Sequence, residues 1–311
     1  MSAESIIRLQ HLSKHFGNFE AVNDLNLEVK SGDVFGFLGP NGAGKSTTIR
    51  MMLSLIKPTA GNIFIFGKNL FESRSKILKR IGCIVEKPDF YLYLSAEKNL
   101  ELFGKLSGII PSKNKIAELI ELVGLKGRAK DKVKTYSHGM KQRLGLAQTL
   151  IHDPELIIVD EPTTGLDPQG IIDVRQLILR LKNDFRKTVL LSSHQLNEVE
   201  QIATRMAIIN KGKTIVQGEV SELLSTSDLI VSVEVGNVEG TKQLIQNSSW
   251  ISKLKLTDNS HMDFNISKEE ISALTKFLVE RDVRVFSVHY KRTLEDYFLK
   301  LTNQQNLLTN R

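Results

Sequence analysis

The stretch GPNGAGKSTT at residues 39–48 restricts the fold more than any other part of the chain. It matches the spacing G-x-x-x-x-G-K-[ST], with Gly39, Gly44, Lys45 and Ser46 in the fixed places. Glycines there let backbone N–H groups converge on a polyphosphate, and the first N–H groups of the following helix add the positive end of its dipole. The run Gly39, Pro40, Asn41, Gly42, Ala43, Gly44, Lys45, Ser46 and Thr47 is therefore expected to hold a nucleoside triphosphate. Lys45 would reach the outer phosphates, Thr47 an inner one, and the Ser46 hydroxyl a bound Mg²⁺. Such a loop joins a strand to a helix, and DVFGFL (33–38) and KSTTIRMMLSLI (45–56) read that way.

The same alternation of strand and helix extends over residues 1–220. ELIIVDEP (155–162) and TVLLSSH (188–194) are short β-rich runs that end in polar groups, as buried parallel strands do at their carboxyl ends. A helix-rich insert with apolar residues at helical spacing lies between about 90 and 150. From about 221 the pattern changes: LIVSVEV (229–235), HMDFNI (261–266) and VRVFSVHY (283–290) read as strands, and 267–281 and 292–302 as amphipathic helices. The expected fold is α/β, with a phosphate-loop domain over 1–225, its helical subdomain at about 88–150, and a small α+β accessory domain over 226–311.

Composition excludes little. Hydrophobic content of 41% and charged content of 25% suit a globular chain, and the net charge of +7 suits a nucleic-acid binder and an anionic membrane face equally. The single cysteine, Cys83, has no partner for an internal disulfide or a metal pattern, which fits a reducing compartment. The start, MSAESIIRLQ, lacks the basic and apolar runs of a signal peptide, and no segment approaches the ~18 apolar residues of a membrane span. A cytoplasmic chain that does not itself cross a membrane is expected.

Five further features accompany the phosphate loop. In YSHGMKQRLGLAQTL (136–150), a Ser-x-Gly turn opens an amphipathic helix, which offers N–H groups to an anion; alone it reads first as an ordinary helix capped by Ser137, and the strand ending in Asp-Glu that follows favours the anion site. LIIVDEP ends a buried strand in Asp160, which would lie beside the Mg²⁺ directly or through water, and then Glu161, suited to take a proton from an attacking water. Asp167, in TTGLDPQG, reads equally as a helix cap. His194 closes a strand, where it can donate to a terminal phosphate. Phe16, before a glycine and upstream of the loop, can stack on a nucleobase or serve as ordinary core.

In order and spacing these motifs resemble the ATPase subunit of an ATP-binding cassette (ABC) transporter over about residues 4–220. The resemblance implies a P-loop NTPase fold and ATP and Mg²⁺ as cofactors. Phe16 corresponds to the adenine-stacking aromatic, Gly39–Thr47 to Walker A, and Asp160 and Glu161 to Walker B and the catalytic base. Asp167 corresponds to the D-loop, His194 to the switch histidine, and Ser137, His138, Gly139 and Met140 to the signature. It also implies a head-to-tail homodimer around two ATP, in which each copy offers its signature to the other's γ-phosphate. The partner implied is a separate transmembrane permease, with the ATPase peripheral on the inner face of the cell membrane and no nucleic acid bound.

Two departures narrow the branch. The signature reads Tyr136-Ser137-His138-Gly139-Met140 where Leu-Ser-Gly-Gly-Gln is usual, and Glu86 stands where a glutamine usually contacts Mg²⁺ and the attacking water. A carboxylate keeps the oxygen for Mg²⁺ but adds like charge; at ~5 Å and an effective dielectric of ~20 this costs about 3 kcal/mol before the metal compensates. Together these features resemble the ABC-2 type exporter branch that handles bacitracin and lantibiotics, and the C-terminal segment resembles the accessory domain of such subunits. The alternatives are ABC-2 subunits for sodium, polysaccharide or gliding machinery, and soluble ABC ATPases acting on ribosomes, DNA or iron–sulfur assembly. A P-loop kinase or GTPase would leave the signature helix unexplained.

Overall fold

The computed structural model describes residues 4–225, 230–258 and 260–291. The chain divides into two compact units, 1–220 and 221–311. The helix Val220–Ser225 starts at this division, and the boundary expected from the sequence, 225/226, falls at its end.

The first unit holds two sheets. Strands β1 (Ser5–Phe16) and β2 (Phe19–Lys30) form an antiparallel hairpin that sets Leu9 opposite Leu27 and Leu12 opposite Leu25. The sheet is completed by β4 (Ala60–Ile65) on β1 and β5 (Lys68–Asn69) on β4. The general strand–helix alternation read from the sequence misses this hairpin, whose long strands carry polar residues on one face. The second sheet contains β3 (Val34–Leu38), β6 (Ile81–Ile84), β7 (Leu156–Asp160), β8 (Thr188–Ser193), β9 (Arg205–Asn210) and β10 (Lys213–Glu219). Its order is β10-β9-β3-β8-β7-β6, parallel except for the β10 edge.

All residues of β3, β7 and β8 are buried, which accounts for their apolar runs, while the polar Asp160, Ser192 and Ser193 stand at carboxyl ends. The core lies between the two sheets and the helix Lys45–Met52: Leu9, Leu25 and Ile63 from one sheet cluster with Phe35, Phe37, Ile158 and Leu190 from the other and with Ile49 and Met52. That helix ends sooner than the expected 56. Ser54 takes a left-handed φ of 55°, the N–H groups of Leu55 and Ile56 both donate back to Arg50 O, and Pro58 disfavours helix at Lys57.

The insert between β6 and β7 carries the helices Ala96–Leu106, Lys113–Leu122 and His138–Thr149. Each begins at a serine whose hydroxyl accepts an N–H of the first turn: Ser95 from Lys98, Ser112 from Lys115, Ser137 from Met140. Asn99, fully buried, accepts from Tyr91 N–H (2.9 Å) and donates to the carbonyls of Tyr91 and Ser95, tying the preceding loop to the first of these helices.

In the second unit β11 (Ile230–Val235), β12 (Leu254–Thr257), β13 (His261–Asn265) and β14 (Val285–Lys291) form an antiparallel sheet of order β12-β13-β11-β14. With the helices Val238–Gln246 and Glu270–Val279 this is a βαββαβ, ferredoxin-like arrangement. Strict alternation along β11 buries Val231, Val233 and Val235, which pack with Ile245, Met262, Phe264, Leu274 and Leu278. The expected helix 292–302 lies outside the described residues. Among the described residues no helix is long and apolar enough to cross a membrane.

Phe264 has no exposed surface. Phe264→Ala should destabilise this unit by about 3–5 kcal/mol, read as lost amide protection in β11 and β13 under mild urea. Unchanged protection there would show that this cluster is not the core of the unit.

Candidate active site

The functional groups gather where the parallel strands end. The loop after β3 passes so close to its neighbours that two of its glycines have no room for a side chain. A Cβ on Gly39 would stand 2.4 Å from Ile209 O, and one on Gly44, whose φ is 103°, 2.6 Å from Ala21 O. The loop is further fixed by Gly212 N–H donating to Ala43 O (3.0 Å). Lys45, 5% exposed, folds back into it and donates to Gly39 O (2.7 Å) and Pro40 O (3.2 Å). Its buried ammonium thereby becomes the fixed positive charge of a cleft of about 390 Å³, lined by Phe19, Ala21, Asn41, Gly42, Ala43, Gly44, Lys45, Ser46, Thr47, Glu161, Thr164 and His194.

The carboxylates come from the adjacent strand end. Asp160, the last residue of β7, is 4% exposed and stands opposite Ser192 of β8, whose hydroxyl donates to Asp160 Oδ1. The backbone turns left-handed at Glu161 (φ 50°), an unusual conformation for a residue with a Cβ. Glu161 Oε2 accepts from Thr164 Oγ1 (3.0 Å) and lies 2.8 Å from His194 Nδ1, while Oε1 lies 3.5 Å from Lys45 Nζ. Phosphate loop, acidic strand end and histidine thus meet through one carboxylate.

The signature residues stand apart from this cleft and do not line it. Ser137 and His138 are exposed, Gly139 and Met140 half-buried. The Ser137 hydroxyl caps the helix, accepting from Met140 N–H (3.3 Å), and the His138 ring lies 3.6 Å from where a Cβ on Gly165 would be. Tyr136 anchors the turn, donating to Arg128 O (2.7 Å); burial pushes its phenol above the usual range. Asp167 is a helix cap, its Oδ1 accepting from Gly170 N–H (3.2 Å) with Pro168 at the first helical position.

Phe16, Gly39, Pro40, Glu86 and Asp160 also lie outside the lining of the cleft. Phe16 is half-exposed, with Lys14 Nζ 5.0 Å from its ring centroid; its hairpin partner Phe19 lines the cleft instead. Glu86 (φ 68°) is exposed and pairs with Arg50 of the helix that follows the phosphate loop. Sequence reasoning passes over Phe19, Thr164 and Ser192. The signals present are proximity to Phe16, the second threonine of TTG, and the i, i+2 relation of Ser192 to His194.

The oxygen donors suit a hard divalent cation: the Ser46 hydroxyl in the cleft and the buried Asp160 carboxylate, next in sequence to Glu161, which lines it. Among the described residues no group of three or more His, Cys, Asp or Glu side chains could hold a metal alone. A cation here would therefore draw its remaining ligands from phosphate oxygens and water, as Mg²⁺ commonly does.

A family model described as "ABC transporter" matches residues 22–164. The chain is 40% identical over 304 residues to an uncharacterized ABC transporter ATP-binding protein, YhcH, of Bacillus subtilis, covering 97% of each chain. It is 41% identical over 298 residues to the bacitracin transport ATP-binding protein BcrA of Bacillus licheniformis, covering 96% of this chain and 97% of that one. Among solved structures, the dimeric post-hydrolysis state of the ATP-binding cassette MJ0796 bound to ADP and Pi aligns with a TM-score of 0.62 at 25% identity, over 69% of this chain and 98% of that one. With its P-loop NTPase fold and nearly full-length relatives, the chain belongs to the ATP-binding subunits of ABC transporters and is an ATPase.

Proposed function

We propose that this ATPase powers an exporter of the ABC-2 type, working as a pair of identical subunits on a separate transmembrane permease at the inner face of the cell membrane. The observation that carries the catalytic part is the position of Glu161, between the Lys45 ammonium and the His194 ring at the floor of the cleft. In this reading Glu161 takes the proton of the attacking water, and His194 orients Glu161 and donates to the γ-phosphate. Lys45 and the N–H groups of residues 41–47 hold the phosphates. Ser46 and Asp160 would hold Mg²⁺, joined by Glu86 once it leaves Arg50; the ion supplies charge neutralisation between the outer phosphates. Phe16 would stack on the adenine, with Phe19 forming the adjoining wall.

Ser137 and Gly139 lie outside the cleft of their own chain, which supports a role on the nucleotide of a second copy arranged head to tail. Asp167 would sit at the junction of the two copies. Closing on ATP and reopening after hydrolysis is a change a permease can convert into transport. The cargo reading, a peptide antibiotic such as bacitracin, rests on the likeness to the bacitracin transport subunit over nearly the whole chain. The ferredoxin-like unit would be an accessory domain.

Glu161→Gln should still bind ATP while hydrolysis falls by about 10²–10⁴-fold, and the variant should accumulate as a dimer by light scattering; wild-type turnover would remove Glu161 as the base. Purified with ATP and Mg²⁺ from native membranes in mild detergent, that variant should bring down a polytopic membrane protein in comparable amount, and deletion of the gene should lower bacitracin tolerance. A trapped chain found only with ribosomes or DNA would contradict the transporter assignment; unchanged tolerance would contradict the cargo. Glu86→Gln should keep or raise ATPase activity at limiting Mg²⁺. Loss of hydrolysis at saturating Mg²⁺ would show that the carboxylate does more than ligate.

A further inference from the structure

Asp160 ends β7 and Glu161 follows it directly, and residues in a regular strand alternate faces. Both nevertheless meet groups from the end of β8, because the left-handed turn at Glu161 breaks the alternation. Asp160 meets Ser192, and Glu161 meets His194 two residues on.

Ser192 has no exposed surface. Its hydroxyl donates to Asp160 Oδ1 and accepts the Glu161 N–H at 2.9 Å, so a single buried group ties the side chain of one acidic residue to the backbone of the next. Its neighbour Ser193 shows what an ordinary strand-end serine does: its hydroxyl exchanges hydrogen bonds with the backbone of Gln195. The side-chain bonds of Ser192 instead go to the two residues on which the chemistry depends. With Asp160 and Ser192 opposite each other in a parallel pair, the bond is set by register.

We propose that Ser192 is a positioning residue of the ATPase site, holding the Asp160 carboxylate in its metal-facing orientation and fixing the strained turn that presents Glu161. The proposal rests on the reading of the cleft as a Mg²⁺–ATP site. A carboxylate this buried can rotate only by giving up a hydrogen bond, so the donor of that bond fixes its direction. The same hydroxyl satisfies the N–H of a residue whose backbone no regular ladder supports.

The test is titration of the full chain with a fluorescent ATP analogue, with Mg²⁺ varied and with EDTA, alongside turnover. In Ser192→Ala the Mg²⁺ concentration for half-maximal binding should rise by about 10-fold and turnover at saturating Mg²⁺ fall by about 10–100-fold, the usual range for losing a group that orients a metal ligand. Metal-free binding, carried by Lys45 and the loop, should stay within about twofold of wild type. Ser192→Cys keeps the volume with a weaker donor, should shift Mg²⁺ dependence in the same direction, and serves where the alanine variant does not fold. Wild-type Mg²⁺ dependence in a folded variant, or metal-free binding lost in parallel with it, overturns the proposal. A wild-type chain that binds no analogue under either condition overturns the nucleotide reading beneath it.

Discussion

The parallel pairing of β3, β8 and β7 is the constraint on which the site depends. It sets Leu38 beside Ser193 and Ser192 beside Asp160, so the phosphate loop, the histidine strand and the acidic strand end at one level. A one-residue slip of β7 against β8 would exchange its two faces, turning Asp160 away from Ser192 and forcing both buried faces to repack. The apolar interior that stabilises the sheet is therefore also what aligns the polar groups. This explains how a chain can place a buried lysine and a buried aspartate reliably: the sheet is ordered first by burial, and the charges ride on its ends.

Those charges are costly unless partnered, and the partners show how. Lys45 is nearly as buried as a core leucine, yet two loop carbonyls accept its protons and Glu161 stands 3.5 Å away. Asp160 has the Ser192 hydroxyl, and Glu161 has Thr164 and His194. Each group is satisfied well enough to be stable in the folded chain, and the two carbonyl contacts of Lys45 are ones that a bound polyphosphate could replace with stronger, charge-assisted bonds. A buried ammonium held by neutral carbonyls is ready for anionic oxygens, because substitution gains charge attraction without further desolvation of the lysine.

The parts of this arrangement legible in the sequence are those where one local signal fixes one local structure. The glycine-rich loop, the apolar strands ending in polar residues, and the serine-capped helices all follow from short-range sterics and hydrogen bonding. The hairpin of β1 and β2 is less legible, since its half-polar strands owe their register to pairing with each other and with β4. Ser192 is invisible for a different reason. Two adjacent serines in SSH look alike in sequence, and only the three-dimensional pairing sends one to Asp160 and the other to its own backbone. Phe19 escapes notice because Phe16 carries the familiar spacing, while the hairpin turn brings its partner to the cleft.

Glu86 shows how a residue can stand outside the cleft and still suit a role there. Its partner Arg50 is partly exposed and Glu86 itself is 66% exposed. Ion pairs in such settings contribute about 0–1 kcal/mol, because water screens them and two long side chains must be held still. A pair this weak costs little to break, which suits the proposed exchange of Arg50 for a metal. The left-handed backbone at Glu86 places the residue at a sharp turn rather than in a strand, where a side chain can swing without disturbing the sheet. An arginine on the helix that leaves the phosphate loop also answers the charge problem raised by a carboxylate at this position. It holds the negative charge in an exposed ion pair, at a strength low enough to release it.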